Sequence, residues 1–296
     1  MASTEQILQD YRHIDTWPDD DILAALVGGQ ERAIAAVREA IPQISRAAKA
    51  LAARLAAGGK LFYAGAGTSI RVAVQDGSEL PATFGMAQDR IGYLIAGGRA
   101  AMFDTLADAE DDGEEGARAA SVVSAQDTVI AVAASGTTPY TVAAAQSART
   151  RGACVIAVVN NAKSPLAATA NFEILLNTGA EVIAGSTRMG AGTAQKAALN
   201  LLSTLAHIKL GAVHDGMMVN VQADNQKLKR RAQGIVRLIT GARDDDAAAA
   251  LEAARGEVKP AILLCAGVAS LDAARQKLLE SHGNLRLALR GLATKK

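Results

Sequence analysis

The sequence predicts an α/β protein: a three-layer αβα sandwich on a five-stranded parallel sheet, with N-terminal helices before it and a small C-terminal helical module after it. Two observations predict this. Five short apolar runs recur along the chain, and most are separated by segments whose apolar residues repeat every three or four positions. Runs that are apolar throughout, not only at alternate residues, are strands buried on both faces, as in a parallel sheet covered by crossover helices.

Residues 1–20 carry no clear period. From Asp21 to Ala57 the pattern is helical almost throughout, with Ile34, Val37, Ile41 and Ile44 at helical spacing. Pro42 kinks this segment or starts a new helix, and Gly58-Gly59 stops it. The expected strands are Leu61 to Ala64, Ile91 to Ala96, Thr128 to Ala133, Cys154 to Val159 and Phe172 to Leu176. Tyr140 to Arg151 reads as a helix between two of them, and a long helix passes through Gln195 and Leu210. From Asp244 three short helices follow: one capped by Asp244-Asp245-Asp246, one started by Pro260, and one over Leu271 to Glu280. The expected division is a helical arm over 1–47, the sheet domain over 48–218, and a linking helix with a three-helix module over 219–296.

The 296 residues are half hydrophobic, enough for one large core and a small appendage. Net charge is +1, with no basic stripe or aromatic-interleaved patch, which argues against a nucleic-acid partner. No apolar run approaches the ~20 residues that span a bilayer, and the polar start Met1-Ala2-Ser3-Thr4 lacks the features of a signal peptide. A cytoplasmic location is expected. Cys154 and Cys265 read as buried small hydrophobes, and the four histidines form no metal-binding pattern. No cofactor or metal is called for.

Three loops carry the chemistry. Gly65-Ala66-Gly67-Thr68-Ser69-Ile70 follows a strand and opens a helix. Ile70 stands where a dinucleotide fingerprint has its third glycine, and no Gly-Lys-Ser/Thr makes a Walker loop. What remains is a turn whose backbone N–H groups, with Thr68 and Ser69, can hold an anion at the helix start. Ser135-Gly136-Thr137-Thr138 repeats the design after another strand, and Ser186-Thr187 precedes a third helix. One such loop alone reads as a helix cap; three, at the carboxyl ends of parallel strands, read as a phosphate site. Close to these loops stand Glu79 and Glu110, a candidate pair for acid/base work on a phosphorylated small molecule.

These residues resemble the N-acetylmuramic acid 6-phosphate etherases, which have the sugar isomerase (SIS) phosphosugar-binding fold. The strings that carry the resemblance are Gly65-Ala66-Gly67-Thr68-Ser69, Ser78-Glu79, Pro81, Thr83-Phe84-Gly85, Ile95-Ala96-Gly97-Gly98 and Ala109-Glu110-Asp111-Asp112. Ala133-Ala134-Ser135-Gly136, Thr138-Pro139-Tyr140, Gly185-Ser186-Thr187-Arg188-Met189 and Ala191-Gly192-Thr193-Ala194-Gln195-Lys196 continue it, and the match runs from about Ala35 to Leu289. The resemblance implies cleavage of the D-lactyl ether of N-acetylmuramic acid 6-phosphate, giving N-acetylglucosamine 6-phosphate and D-lactate. It implies that Glu79 is the acid at the leaving lactyl oxygen and Glu110 the base at C2, with water adding to the unsaturated intermediate. It implies that Gly67, Thr68, Ser69, Ser135, Gly136, Thr137, Thr138, Ser186 and Thr187 bind the substrate, and that the protein is a homodimer with shared sites. This chain departs from the family's pattern at Ile70, Arg99, Thr137 and Gly190, where the family has Gly, Glu, Arg and Lys. The family's N-terminal Thr-Glu-x-Arg-Asn segment is not recognised. Two other readings stay open: a phosphosugar-sensing regulator resembling glucokinase regulatory protein, and a sugar-phosphate isomerase on the same fold.

The spacing of Ser69 and Glu79 adds a constraint. Ten residues of helix separate them by about 15 Å, more than a hexose 6-phosphate spans from phosphorus to C3. Either the helix breaks near Gly77 and Pro81, or Glu79 serves a pocket shared with a neighbouring subunit.

Overall fold

A computed structural model describes residues 3–104, 108–221 and 225–292. The chain divides into two compact units: residues 1–77 with 89–205, and residues 78–88 with 206–296.

In the first unit the helical stretch is two helices, α1 (Asp19–Glu39) and α2 (Ile41–Ala56), so Pro42 stands at the start of a new helix, one of the two options its position offered. The chain turns at Ala40, whose N–H still reaches back to the Ala36 and Val37 carbonyls. Pro42 follows in the first turn of α2, where its missing N–H leaves no carbonyl unbonded. Gly58 ends this run in the left-handed region (φ +91°).

Next come β1 (Leu61–Gly65), α3 (Gly67–Phe84), β2 (Ile91–Ile95), α4 (Gly113–Ala119), β3 (Thr128–Ala133), α5 (Pro139–Thr150), β4 (Cys154–Val159), α6 (Pro165–Thr169), β5 (Phe172–Leu175) and α7 (Gly190–Lys209). The five strands form one parallel sheet in the order β2-β1-β3-β4-β5. This is the predicted sheet, with strand ends shifted by a residue at most. Every residue of β1, β3 and β4 is buried, whereas the edge strands β2 and β5 are only partly covered. Val129, Ala131, Val155 and Ala157 meet Ala144, Ala145, Ala148 and Leu166 of α5 and α6 in one cluster. The alternate residues Ile130, Val132, Ile156 and Val158 are buried too and point to the opposite face. Alanine dominates the helix side of this packing, which lets the helices lie close to the sheet.

The second unit contains the hairpin β6 (Val213–His214) and β7 (Met217–Met218), then α8 (Gln226–Thr240), α9 (Asp244–Ala253), α10 (Val258–Cys265), α11 (Leu271–Glu280) and α12 (Leu285–Ala288). Its own core joins Val236, Ala247, Ile262, Leu263, Ala274 and Leu285. Three details differ from the sequence reading. Asp244 to Asp246 form the first turn of α9 and favour the helix dipole without capping it. Helix α10 begins at Val258, two residues before Pro260. A fourth short helix, α12, follows α11, capped by Asn284, whose side chain accepts the Leu287 N–H at 3.2 Å. Its four residues are too few to show a period.

Candidate active site

The carboxyl ends of β1 and β3 open into a cavity of about 330 Å³. Gly67, Thr68, Ser69, Ser135, Thr137, Thr138, Thr187 and Glu110 line it. Gly67 lies in the left-handed region (φ +52°), a conformation glycine adopts without strain, as α3 begins. The hydroxyls of Thr68, Ser69, Thr138 and Thr187 have no hydrogen-bond partner among the described residues. Thr138 occupies the cap position of α5 without bonding that helix's N–H groups. Ser135 accepts from both the N–H and the hydroxyl of Thr137 at 3.2 and 3.0 Å, so its own proton is free to donate outward. These are the donors an anion requires, at two helix starts.

Glu110 stands in the same wall. Its carbonyl accepts the Tyr140 N–H at 3.0 Å, which ties it to the first turn of α5. Two residues on, Asp112 caps α4 by accepting the Glu115 N–H at 2.8 Å. The carboxylate of Glu110 is left exposed between these anchors.

Three predicted residues are not in the cavity wall. Gly136 has φ +70°, a Cβ there would fall 2.2 Å from the Ser164 hydroxyl oxygen, and its N–H donates to the Ala133 carbonyl at 3.1 Å. Ser186 lies in the turn before α7, where its carbonyl accepts the Met189 N–H at 3.1 Å. Glu79 is exposed on α3, and α3 does not break. Of the two alternatives the spacing left, a break near Gly77 and Pro81 is the one the structure removes. Pro81 costs only one intrahelical bond, near the helix end. Gly77 is explained by packing: a Cβ there would come within 2.7 Å of the rings of Tyr63 and Tyr93. One residue earlier, the buried Asp76 accepts from the Tyr63 hydroxyl at 2.6 Å, from Asn200 at 2.6 Å and from Ser203 at 2.9 Å. Burial, and then the Asp76 charge, push the Tyr63 phenol well above its ordinary pKa, so it stays a donor. The middle of α3 is thus pinned to β1 and α7.

The start of α7 is closed to a ligand. The carboxylate of Glu181, itself buried, accepts the N–H groups of Gly190 and Ala191, both at 2.9 Å. Sequence reasoning gave Glu181 no role, since nothing in its neighbourhood shows where its side chain turns. It also missed Glu5 and Asp111, which line the cavity. Thr4 is fully buried, its carbonyl accepting the Gly185 N–H at 3.3 Å and its hydroxyl accepting from Asn161 at 3.2 Å.

The family described as SIS domain matches residues 102–205, and the glucokinase regulatory protein N-terminal SIS domain matches residues 43–149. A protein of Streptomyces coelicolor named N-acetylmuramic acid 6-phosphate etherase is 46% identical over 97% of this chain and 93% of its own length. Proteins of the same name from Deinococcus radiodurans and Symbiobacterium thermophilum are 44% and 48% identical, covering 97% and 90% of this chain and 94% and 89% of theirs. The chain belongs to the N-acetylmuramic acid 6-phosphate etherase family.

Proposed function

We propose that this chain cleaves the D-lactyl ether of N-acetylmuramic acid 6-phosphate. The observation that carries the reading is Glu110 beside unpartnered hydroxyls at two helix starts. The 6-phosphate sits against the first turn of α3, whose N–H groups and dipole favour an anion, and against the Ser135 and Thr138 hydroxyls just before α5. Glu110 takes the C2 proton, which the C1 aldehyde of the open-chain sugar acidifies. The C3–O bond breaks, Glu79 protonates the departing oxygen, and D-lactate leaves. Water then adds its oxygen to C3 and a proton returns to C2. Each carboxyl group moves one proton, the usual work of a general acid or base.

Glu79 reaches this chemistry from a second subunit in our reading. Along the unbroken α3 it stands about 15 Å from Ser69. The exposed apolar residues Leu23 (59%), Val27 (56%) and Ile34 (45%) share one side of α1, the kind of stripe that a partner covers. We therefore propose a two-fold homodimer whose sites combine both chains. Among the described residues no helix is long and apolar enough to cross a membrane, and a charged sugar phosphate argues for a cytoplasmic enzyme.

The deciding experiment is D-lactate release from N-acetylmuramic acid 6-phosphate. Release at enzymatic rates is expected. A sensor would bind the sugar without releasing lactate, and an isomerase would interconvert aldose and ketose phosphates instead.

A further inference from the structure

A sugar phosphate brings two kinds of polar group to its site. The phosphate accepts hydrogen bonds and needs donors, whereas the sugar hydroxyls also donate and need acceptors. The cavity answers the first with hydroxyls and the start of α3. For the second its wall carries three carboxylates, Glu5, Glu110 and Asp111. Glu110 is committed to the C2 proton, and Asp111 is its neighbour in the chain. Glu5 comes from a different place, the N-terminal 3-10 turn Ser3–Glu5.

The residue before it holds it there. Thr4 is fully buried; its carbonyl accepts the Gly185 N–H at 3.3 Å and its hydroxyl accepts from the Asn161 side chain at 3.2 Å. The same Asn161 nitrogen donates to the Ala134 carbonyl at 2.9 Å, and Ala134 is in the cavity wall. The Glu5 carboxylate itself lies over Gly185, where a Cβ would come within 3.0 Å of Oε2. Two residues further on, Thr187 lines the cavity. Among the described residues this carboxylate makes no hydrogen bond and no ion pair. The polar groups of a buried threonine thus anchor an exposed carboxylate that bonds nothing else in the fold.

The chemistry of the substrate narrows what it meets. In N-acetylmuramic acid 6-phosphate the C3 oxygen is the ether and carries no proton. The C1 hydroxyl becomes the aldehyde when the ring opens, and the C5 oxygen is a hydroxyl only after it opens. The acetamido N–H sits on C2, where Glu110 works. The C4 hydroxyl is present in every form and lies between the phosphate end and the C3–O bond that breaks. We propose that Glu5 is a specificity-determining residue whose carboxylate accepts a hydrogen bond from the C4 hydroxyl. This rests on the etherase reading for the identity of the sugar. A charged acceptor makes the bond strong, and the bond fixes C3 relative to Glu110 while the phosphate is held at the other end.

The test crosses a protein change with a ligand change. Binding of N-acetylglucosamine 6-phosphate and of its 4-deoxy analogue is measured by calorimetry, with Glu5 intact or changed to Ala or Gln. Glu5→Ala should weaken the 4-hydroxy sugar by ~10- to 100-fold, the scale of a hydrogen bond to a charged group. The 4-deoxy analogue should bind Glu5→Ala within about twofold of the intact chain, which also reports an intact fold. Glu5→Gln keeps an acceptor oxygen and should lose less than Glu5→Ala. In turnover, Glu5→Ala should raise KM for N-acetylmuramic acid 6-phosphate more than it lowers kcat, since the C4 contact is made before and during the reaction. An equal loss for both sugars would mean that Glu5 only shapes the wall, and the proposal would fall. No loss, or a gain for both from removing a charge near the phosphate, would overturn it too. The etherase reading fails separately: a wild-type chain that releases no D-lactate but shows the 4-hydroxyl dependence would retire that reading and leave the Glu5 contact standing.

Discussion

The starts of α3 and α7 look alike in sequence: each has a glycine and a hydroxyl pair, Gly67-Thr68-Ser69 as the first residues of α3 and Gly185-Ser186-Thr187 just before α7. Their chemistry differs. At α3 both hydroxyls face the cavity and bond nothing else among the described residues. At α7 the first N–H groups are occupied by Glu181, and of the hydroxyl pair only Thr187 reaches the cavity. A helix start becomes an anion site only where its donors are still open. What closes α7 is a carboxylate nine residues before the helix, and its direction is a tertiary fact.

The largest expected effect concerns the catalytic side of this contrast. Glu110→Gln, and likewise Glu79→Gln, should lower D-lactate release by about 100-fold or more while phosphosugar binding persists. If Glu110→Gln kept near-normal turnover, another group would be the base and the two-carboxylate mechanism would fall. Mixing Glu79→Gln chains with Glu110→Gln chains, each nearly inactive alone, tests the shared site. Heterodimers should regain activity in one of their two sites, and no recovery in verified heterodimers would remove the two-chain arrangement.

The second effect falls on stability. Glu181→Ala leaves the Gly190 and Ala191 N–H groups without their acceptor, inside a buried region. The cost should be about 2–3 kcal/mol, as for a buried charge-assisted contact. Urea unfolding should show a lower midpoint with an unchanged slope. An unchanged midpoint would mean that Glu181 does not hold the start of α7.

The sheet was legible because its signal is local. Val129-Ile130-Ala131-Val132 and Val155-Ile156-Ala157-Val158 are apolar without alternation, and only a strand covered on both faces tolerates that. The loops that line the cavity were legible for the same reason, since Gly67, Thr68 and Ser69 are adjacent in the chain. The rest depends on distant partners. Gly77 and Pro81 suggested a break in α3, because sequence cannot show that the rings of Tyr63 and Tyr93 fill the space where a Gly77 side chain would go. Glu5 went unseen because its short 3-10 turn, Ser3–Glu5, has no period; burial of Thr4 and its bond from Gly185 hold it in place.

The smallest effects sharpen the comparison most. Ser69→Ala removes one hydroxyl from the open helix start, and Thr138→Val removes one from the start of α5. Each should weaken phosphosugar binding by about 2- to 12-fold, the worth of one hydrogen bond. Ser186→Ala removes a hydroxyl of the same kind, next to a helix of similar length, in a string that resembles the family equally well. Its side chain does not line the cavity, and its backbone carbonyl, which the change leaves alone, makes the turn to Met189. Binding should stay within about twofold of the wild type, as for a surface change away from special features. The three variants belong in one calorimetric series with a phosphorylated sugar, because the pattern matters more than any single value. A loss at Ser186 equal to that at Ser69 would place the phosphate nearer α7, and the closure of that helix by Glu181 would no longer explain the choice of site.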